Sequence, residues 1–495
     1  MAKRGALARA AMVVAGLALL AQGAAAQGAG ERAVPALDSA APGAGAKTLV
    51  FANTAIELYG HLDLSLDVAS KGIDGRSIAS ADASNPAQGS PYAATGLLGW
   101  LPDISSNLSF FGIRGSRPAT DEANVVFQIE TQVDVAATPG TADNNASADN
   151  AVKGAFSSRN SFVGFQSASW GAVKIGKNDT PYKSSTARMD SLGQTVGDYN
   201  AIMGNTGGDN RAEFDQRFSH AIWYEAPKLA NFNFSLMYSP GQNRASDNGN
   251  IAAAEPSCTG GNNPVGGGKA CGDGSYGDAW SASVAYESGP YLGILAAELH
   301  GSVNRQADEI PLGGGAPAGT VGNADEWGFK GGAQFELPTR TGVSLIFEDL
   351  VRNANSSYNE RNRIGWYAAA EQKLADGHQL TLAWAHAGNT PGDPGDPGVV
   401  GPDGTTSGGP KANAADLVAL GYKKALADRH TTLYAVYATM VNQDGAHYDL
   451  GSSGHGVMTD CHDASPGAGG FSGGGGICFT GNRIQAFSVG MTHDF

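Results

Sequence analysis

Residues 56–69 read IELYGHLDLSLDVA. Ile56, Leu58, Leu62, Leu64, Leu66 and Val68 share one face, and Glu57, Tyr59, His61, Asp63, Ser65 and Asp67 share the other. Successive strand side chains point to opposite faces, so a period of two predicts a strand with one apolar and one wet side. Strands of globular sheets run to about 5–6 residues, whereas a tilted strand crossing a bilayer needs about 9–11. This stretch has the second length. The design returns at 124–135, where Val125, Phe127, Ile129, Val133 and Val135 alternate with Asn124, Gln128, Glu130, Gln132 and Asp134. Further strands are expected at 107–115, 159–167, 171–177, 217–226, 231–239, 278–287, 291–304, 326–336, 342–353, 361–373, 379–388, 414–424, 431–442 and 483–495, which makes sixteen.

Their connections alternate in length. Short ones fall at 117–123, 168–170, 227–230, 288–290, 337–341, 374–378 and 425–430, and long ones at 70–106, 240–277, 389–413 and 443–482. Short turns on one side and long loops on the other describe a membrane barrel, and backbone in hydrocarbon is satisfied only if the sheet closes. The wet strand faces then line a water-filled lumen. Aromatics near strand ends (Trp223, Tyr224, Trp280, Tyr291, Trp327, Trp366, Tyr367, Phe495) fit interfacial girdles. One polar, turn-rich segment, 178–216, is long for a loop without structure of its own. It is expected to fold into the lumen and narrow it. The fold class is therefore all-β, a 16-stranded antiparallel transmembrane barrel over 54–495.

The chain opens with Lys3, Arg4 and Arg9, an apolar run and Ala24-Ala25-Ala26, the layout of a signal peptide over 1–26. Residues 27–53 are Ala/Gly/Pro-rich without periodicity and read as a disordered lead-in. No later apolar run is long enough for a transmembrane helix. Glycine supplies 71 of 495 residues, clustered between strands as loops require. The charge is −15, from 32 basic and 47 acidic residues, and removing the three leader cations takes it to −18. No basic stripe survives, which excludes nucleic acid as a partner. Cys258/Cys271 and Cys461/Cys478 form two local pairs inside Gly-rich loops. In an exported chain this spacing implies two loop-stapling disulfides, and the tight Cys-x-x-Cys pairs of a zinc site are absent. Asp393, Asp396 and Asp403 lack the spacing of a calcium loop. The ten histidines form no metal or protease motif. No cofactor, no metal and no enzymatic activity are expected.

At the chain ends the residues resemble a known family. Leu58, Tyr59, Gly60 and Asp63 form a Leu-Tyr-Gly-x-x-Asp pattern similar to the first strand of Gram-negative trimeric general porins. The closing NRIQAFSVGMTHDF, ending at Phe495, resembles their last strand. SRNSFVGF at 158–165 followed by GAVKIGKNDTPY at 171–182 resembles their strand pair entering the third extracellular loop. The resemblance implies a homotrimer in the Gram-negative outer membrane, embedded in lipid and lipopolysaccharide, passing small hydrophilic solutes and ions. It also implies an inward third loop whose carboxylates (Asp190, Asp198, Asp209, Glu213 and Asp215 are available) face wall arginines. Arg159 and Arg217 match the wall by position, and Arg114 is retained in SFFGIRG. Phe110 departs from the family, which usually carries a basic residue there; it reads either as a compensating substitution without effect on transport or as a pointer to solutes with an apolar part. Apolar faces near Phe162 and Phe218 fit a cyclic subunit contact. Two other readings stay open: a substrate-selective channel on the same barrel, and a surface adhesin or receptor using the stapled loops.

Overall fold

The computed structural model describes residues 48–51, 53–70, 100–133, 135–136, 157–204, 214–240, 278–304, 323–352, 362–389, 412, 414–443, 446, 448, 450, 461–462, 476–477 and 483–495. The signal segment, most of the lead-in, Asp209, Glu213, Cys258, Cys271 and Cys478 lie outside them. Only the backbone is described at Cys461, where Cys461–His462 pairs in parallel with Gly476–Ile477.

Alternating polarity yields sixteen antiparallel strand positions in one closed sheet. They are β1 (Thr54–Ala69), β2 (Leu101–Ser106 and Phe110–Pro118), β3 (Asn124–Gln132), β4 (Ser161–Ser167), β5 (Gly171–Asp179) and β6 (Arg217–Glu225). Then come β7 (Phe232–Pro240), β8 (Asp278–Ser288), β9 (Tyr291–Asn304), β10 (Asn323–Glu336) and β11 (Thr341–Arg352). The last five are β12 (Arg363–Lys373), β13 (His378–Ala387), β14 (Ala415–Ala425), β15 (Thr431–Asn442) and β16 (Arg483–Asp494). Closure comes from β16 pairing with β1, Leu62 opposite His493 and Val68 opposite Phe487. Phe495 completes that edge through backbone bonds of 2.9 and 3.1 Å with Gly60. Beyond it, Thr48–Phe51 pairs with the start of β1 and continues the row that β16 leaves. The end of the expected lead-in is thus a strand.

The alternation predicts β2 as one piece over 107–115, whereas the strand starts at Leu101 and is broken at Asn107–Ser109. Leu108 takes a left-handed backbone, φ 55°, because Asn107 turns into the lumen. Its amide nitrogen, with two hydrogens to share, lies within hydrogen-bond reach of Asp63 Oδ1 (3.1 Å), Ser65 Oγ (3.0 Å) and the Tyr434 hydroxyl (3.0 Å). Tyr434 donates to the same Asp63 oxygen at 2.7 Å. The Tyr434 ring lies over Gly490, where an added Cβ would sit 2.2 Å from it. Gly490→Val is therefore expected to dislodge Tyr434 and cost about 1–3 kcal/mol. The check is a lower temperature for loss of the compact band in unboiled gels.

Outward positions are apolar: Leu58, Leu66, Ile113, Ile129, Ile175, Leu295, Leu345, Leu382, Leu420 and Val489 are all exposed on the surface that meets lipid. The inner face divides in two. On β1 to β6 it is mostly polar, as the alternation predicts, with Phe162, Phe218 and Trp223 as an apolar interruption on β4 and β6. On β12 to β16 it carries Ala369, Ala383, Ala385, Ala415, Leu417, Ala419, Val436, Ala438, Ile484 and Ala486, all buried. These are lumen positions without water against them, because the third long loop packs there. Trp223 and Tyr367, expected in girdles, also face inward and are buried. Phe162 and Phe218 turn inward into a cluster with Trp223 and Met237, so they do not offer an outer contact face.

The third loop is not structureless. It begins with a short helix, Pro181–Thr186, capped by Thr180 Oγ1 accepting from the Lys183 N–H at 3.1 Å. Turns follow at Ala187–Met189 and Tyr199–Ala201. Met189, Leu192, Val196, Ile202 and Met203 are fully buried against the barrel wall. Each such side chain gains about 1.5–3 kcal/mol from leaving water. The fit is close: a Cβ on Gly421 would lie 2.4 Å from Leu192 Cδ2, and one on Gly197 would lie 2.8 Å from Ala419 Cβ.

Candidate pore constriction

The polar wall opposite the loop holds a row of guanidinium groups, each with a carboxylate from the wall itself. Glu57 and Arg114 are direct cross-strand partners on β1 and β2. Their inward side chains form a two-point ion pair, Nε to Oε2 at 2.6 Å and Nη2 to Oε1 at 2.9 Å. Arg159 donates from Nε to Glu130 Oε1 at 2.6 Å, and Tyr59 donates its hydroxyl to the other Glu130 oxygen at 2.9 Å. Arg217 donates from Nε to Asn160 Oδ1 (2.6 Å) and pairs through Nη2 with Asp179 (3.0 Å). Lys183, from the loop helix, reaches the same Asp179 at 3.4 Å. Aromatic rings support the cations: Arg114 lies 5.1 Å over Tyr59, and Arg159 lies 4.5 Å over Phe110. Phe110 in turn stacks on His61 at 5.7 Å. The structure therefore brings Arg114, Arg159 and Phe110 together, with Arg217 next along the same wall.

The described loop carboxylates, Asp190, Asp198 and Asp215, are placed elsewhere. Asp198 is buried and accepts from the Gln194 and Asn200 N–H groups at 2.9 and 2.8 Å, so it shapes the loop. Asp215 forms a buried ion pair with Lys330 of β10. Asp190 accepts from the Leu192 N–H at 3.1 Å. Among the described residues, none of the three pairs with Arg114, Arg159 or Arg217. For Asp190, Asp198 and Asp215 the expected facing toward the wall arginines is not seen, and Asp209 and Glu213 lie outside the described residues. Within the wall, register sets Glu57 directly opposite Arg114.

Burial and the neighbouring Asp198 carboxylate push the Asp190 carboxyl well above the usual range, while the Leu192 N–H and Lys423 pull it down. A carboxyl raised in the folded state binds its proton more tightly there than in the unfolded chain. Its contribution is thus fully present below the ordinary carboxylate pKa and is lost as pH rises through the folded value. Loop seating is expected to weaken on going from acid to alkaline pH, and Asp190→Asn is expected to flatten that dependence. Open-channel current noise as a function of pH is the readout.

A second network fixes the loop to the barrel. Glu348 on β11 accepts from the Gly204 N–H (2.8 Å), the Tyr182 hydroxyl (3.1 Å) and Arg363 Nη2 (2.6 Å). Arg363 also donates to the Ile202 carbonyl. Phe214 stacks on His300 at 4.7 Å, and that imidazole bonds Glu298 at 3.1 Å. Sequence reasoning missed Glu57, Glu130, Asn160, Asp179, Lys330, Glu348 and Arg363. All but Asn160 lie within strands, and their inward polarity was legible as alternation, but their partners depend on register.

A closed antiparallel sheet with an apolar outer surface, a charged inner wall and a long loop seated in its lumen defines an outer-membrane β-barrel of the porin type. The chain belongs to the Gram-negative porin family, whose sequence profile matches residues 10–446. It is similar to an outer membrane porin protein of Bordetella pertussis, with 26% identity over 133 residues. That alignment covers 27% of this chain and 31% of the relative, so it spans about a third of that porin's length. Among solved structures the anion-selective porin of Comamonas acidovorans matches at TM-score 0.56 and 15% identity, covering 89% of this chain and 100% of that one. OmpT of Vibrio cholerae matches at TM-score 0.50 and 11% identity, covering 91% and 100%. These likenesses carry the fold, and the family carries the location in the outer membrane.

Proposed function

We propose that this porin is a water-filled channel through which small hydrophilic solutes and ions diffuse. The observation that supports it most is the third loop, anchored on β8 to β16 and leaving the charged wall of β1 to β6 as the face past which solutes travel. Narrowing by the loop sets the size limit. Within the paired arginine row, Arg114, Arg159, Arg217 and the loop's Lys183 oppose Glu57, Glu130 and Asp179, one cation in excess (four against three), while Asp63 and Asp67 lie further along β1. Local charge outranks the net charge of the whole chain, since fields fade beyond a Debye length of about 8–10 Å. The channel is accordingly weakly anion-preferring despite the acidic composition, and the name of the Comamonas porin agrees with that sign. The mature barrel spans 54–495 after removal of 1–26, assembles as a trimer among lipid and lipopolysaccharide, and carries loop disulfides Cys258–Cys271 and Cys461–Cys478. No catalytic role is assigned.

The experiment is insertion of the purified, heat-modifiable protein into planar bilayers in KCl. Stepwise ohmic conductance supports the channel. Absence of any conductance from folded protein rejects it.

A further inference from the structure

The wall arginines are not equivalent. Arg114 gives both Nε and Nη2 to Glu57, and Arg217 gives Nε to Asn160 while its Nη2 sits in an ion pair 3.0 Å from Asp179 Oδ1. Arg159 gives only Nε, to Glu130. Its backbone is tied to the same residue, N–H to the Glu130 carbonyl at 3.1 Å, and its plane is held on the Phe110 ring. Among the described residues its two terminal nitrogens take no partner. A guanidinium fixed through Nε and its face, with its terminal edge left over, is a fork preorganised for a carboxylate.

What lies beside that fork is aromatic. Phe110 is half-buried, with Tyr59 edge-on at 6.3 Å and His61 stacked behind it, and His61 is held by Asp494 at 2.6 Å. A charge-tuned wall would present a second cation here, and this one presents a ring. A second cation–ring pair lies on the same wall, Lys174 4.8 Å over Phe162, but Lys174 is buried and gives its Nζ to Glu225 Oε2 at 2.7 Å. At Arg159 a solute carrying only charge uses half of what is offered. A planar ring bearing a carboxylate uses both.

We propose that Arg159 and Phe110 form a weak binding subsite for small aromatic carboxylates. The carboxylate is bound by the terminal nitrogens of Arg159, and the ring meets the half-exposed edge of Phe110, whose faces Arg159 and His61 cover and which buried Tyr59 backs. The subsite rests on the channel reading and narrows it to a solute class.

The test measures block of the KCl current by benzoate and by cyclohexanecarboxylate, which match in charge and nearly in size. Benzoate is expected to block saturably at about fivefold lower concentration, the equivalent of one aromatic contact of about 1 kcal/mol. Phe110→Leu keeps an apolar side chain and is expected to erase the difference between the two acids. Arg159→Gln is expected to abolish block by both. Equal block by the two acids in the parent protein, or a difference that survives Phe110→Leu, would overturn the subsite while leaving the channel standing. Folded protein without ohmic current would overturn the channel and the subsite together.

Discussion

Replacing Glu348 with alanine is expected to release the third loop while leaving the barrel closed. Glu348 is fully buried and joins three elements through Gly204, Tyr182 and Arg363. Removing it takes the Glu348 carboxylate from the buried Arg363 guanidinium, which also meets the Ile202 carbonyl and, at 3.4 Å, the Tyr448 hydroxyl. Breaking one side of a buried ion pair costs about 3–5 kcal/mol. The loss falls on the loop and not on the sheet, whose strands stay paired through their own backbone ladders. Single-channel recordings should then show larger and noisier conductance, while unboiled gels still show the compact band. Glu348→Gln keeps an acceptor for the Gly204 N–H and should lie between the two. An unchanged conductance in both variants would remove the anchor from the account.

Leu192→Asp is expected to have an effect of similar size from the other end of the loop. Leu192 is fully buried and lies against Gly421 so closely that a Cβ there would strike it. Ala383, Ala385 and Ala419 keep the wall shallow enough for that approach. An aspartate loses the apolar contact, about 2–5 kcal/mol when a buried leucine is cut back, and adds a charge whose burial is unfavourable. The loop should leave the wall, and the size limit for neutral sugars in liposome swelling should rise. The same swelling rates in parent and variant would mean that the apolar seat does not hold the loop.

Lipid explains how much was legible in the chain. It demands an apolar residue at every second position whatever lies inside, so β1 and β3 could be read from Leu58, Leu66, Phe127 and Ile129 alone. The inner face answers to the loop instead. In β13 the sequence HQLTLAWAHA alternates Leu and Trp with Thr and Ala. Its strand was plain, but nothing local said that the alanines meet the apolar side of the loop and not water. The break in β2 was hidden for the same reason, since the Leu108 turn follows from Asn107 reaching Asp63 across the sheet. At the constriction, Arg114 and Arg159 were found by their motifs, yet their carboxylates were sought in the loop. Glu57 and Glu130 are no more acidic in sequence than Asp198. Register alone brings them to the arginines.

The most direct measurement is the zero-current potential across a planar bilayer under a KCl gradient, for the parent protein and for Arg159→Ala and Arg217→Ala. The wall pairs predict weak anion preference in the parent and a shift toward cations in each variant, as Glu130 or Asp179 loses its arginine. A cation-preferring parent whose potential does not move in either variant would contradict a selectivity set by the wall.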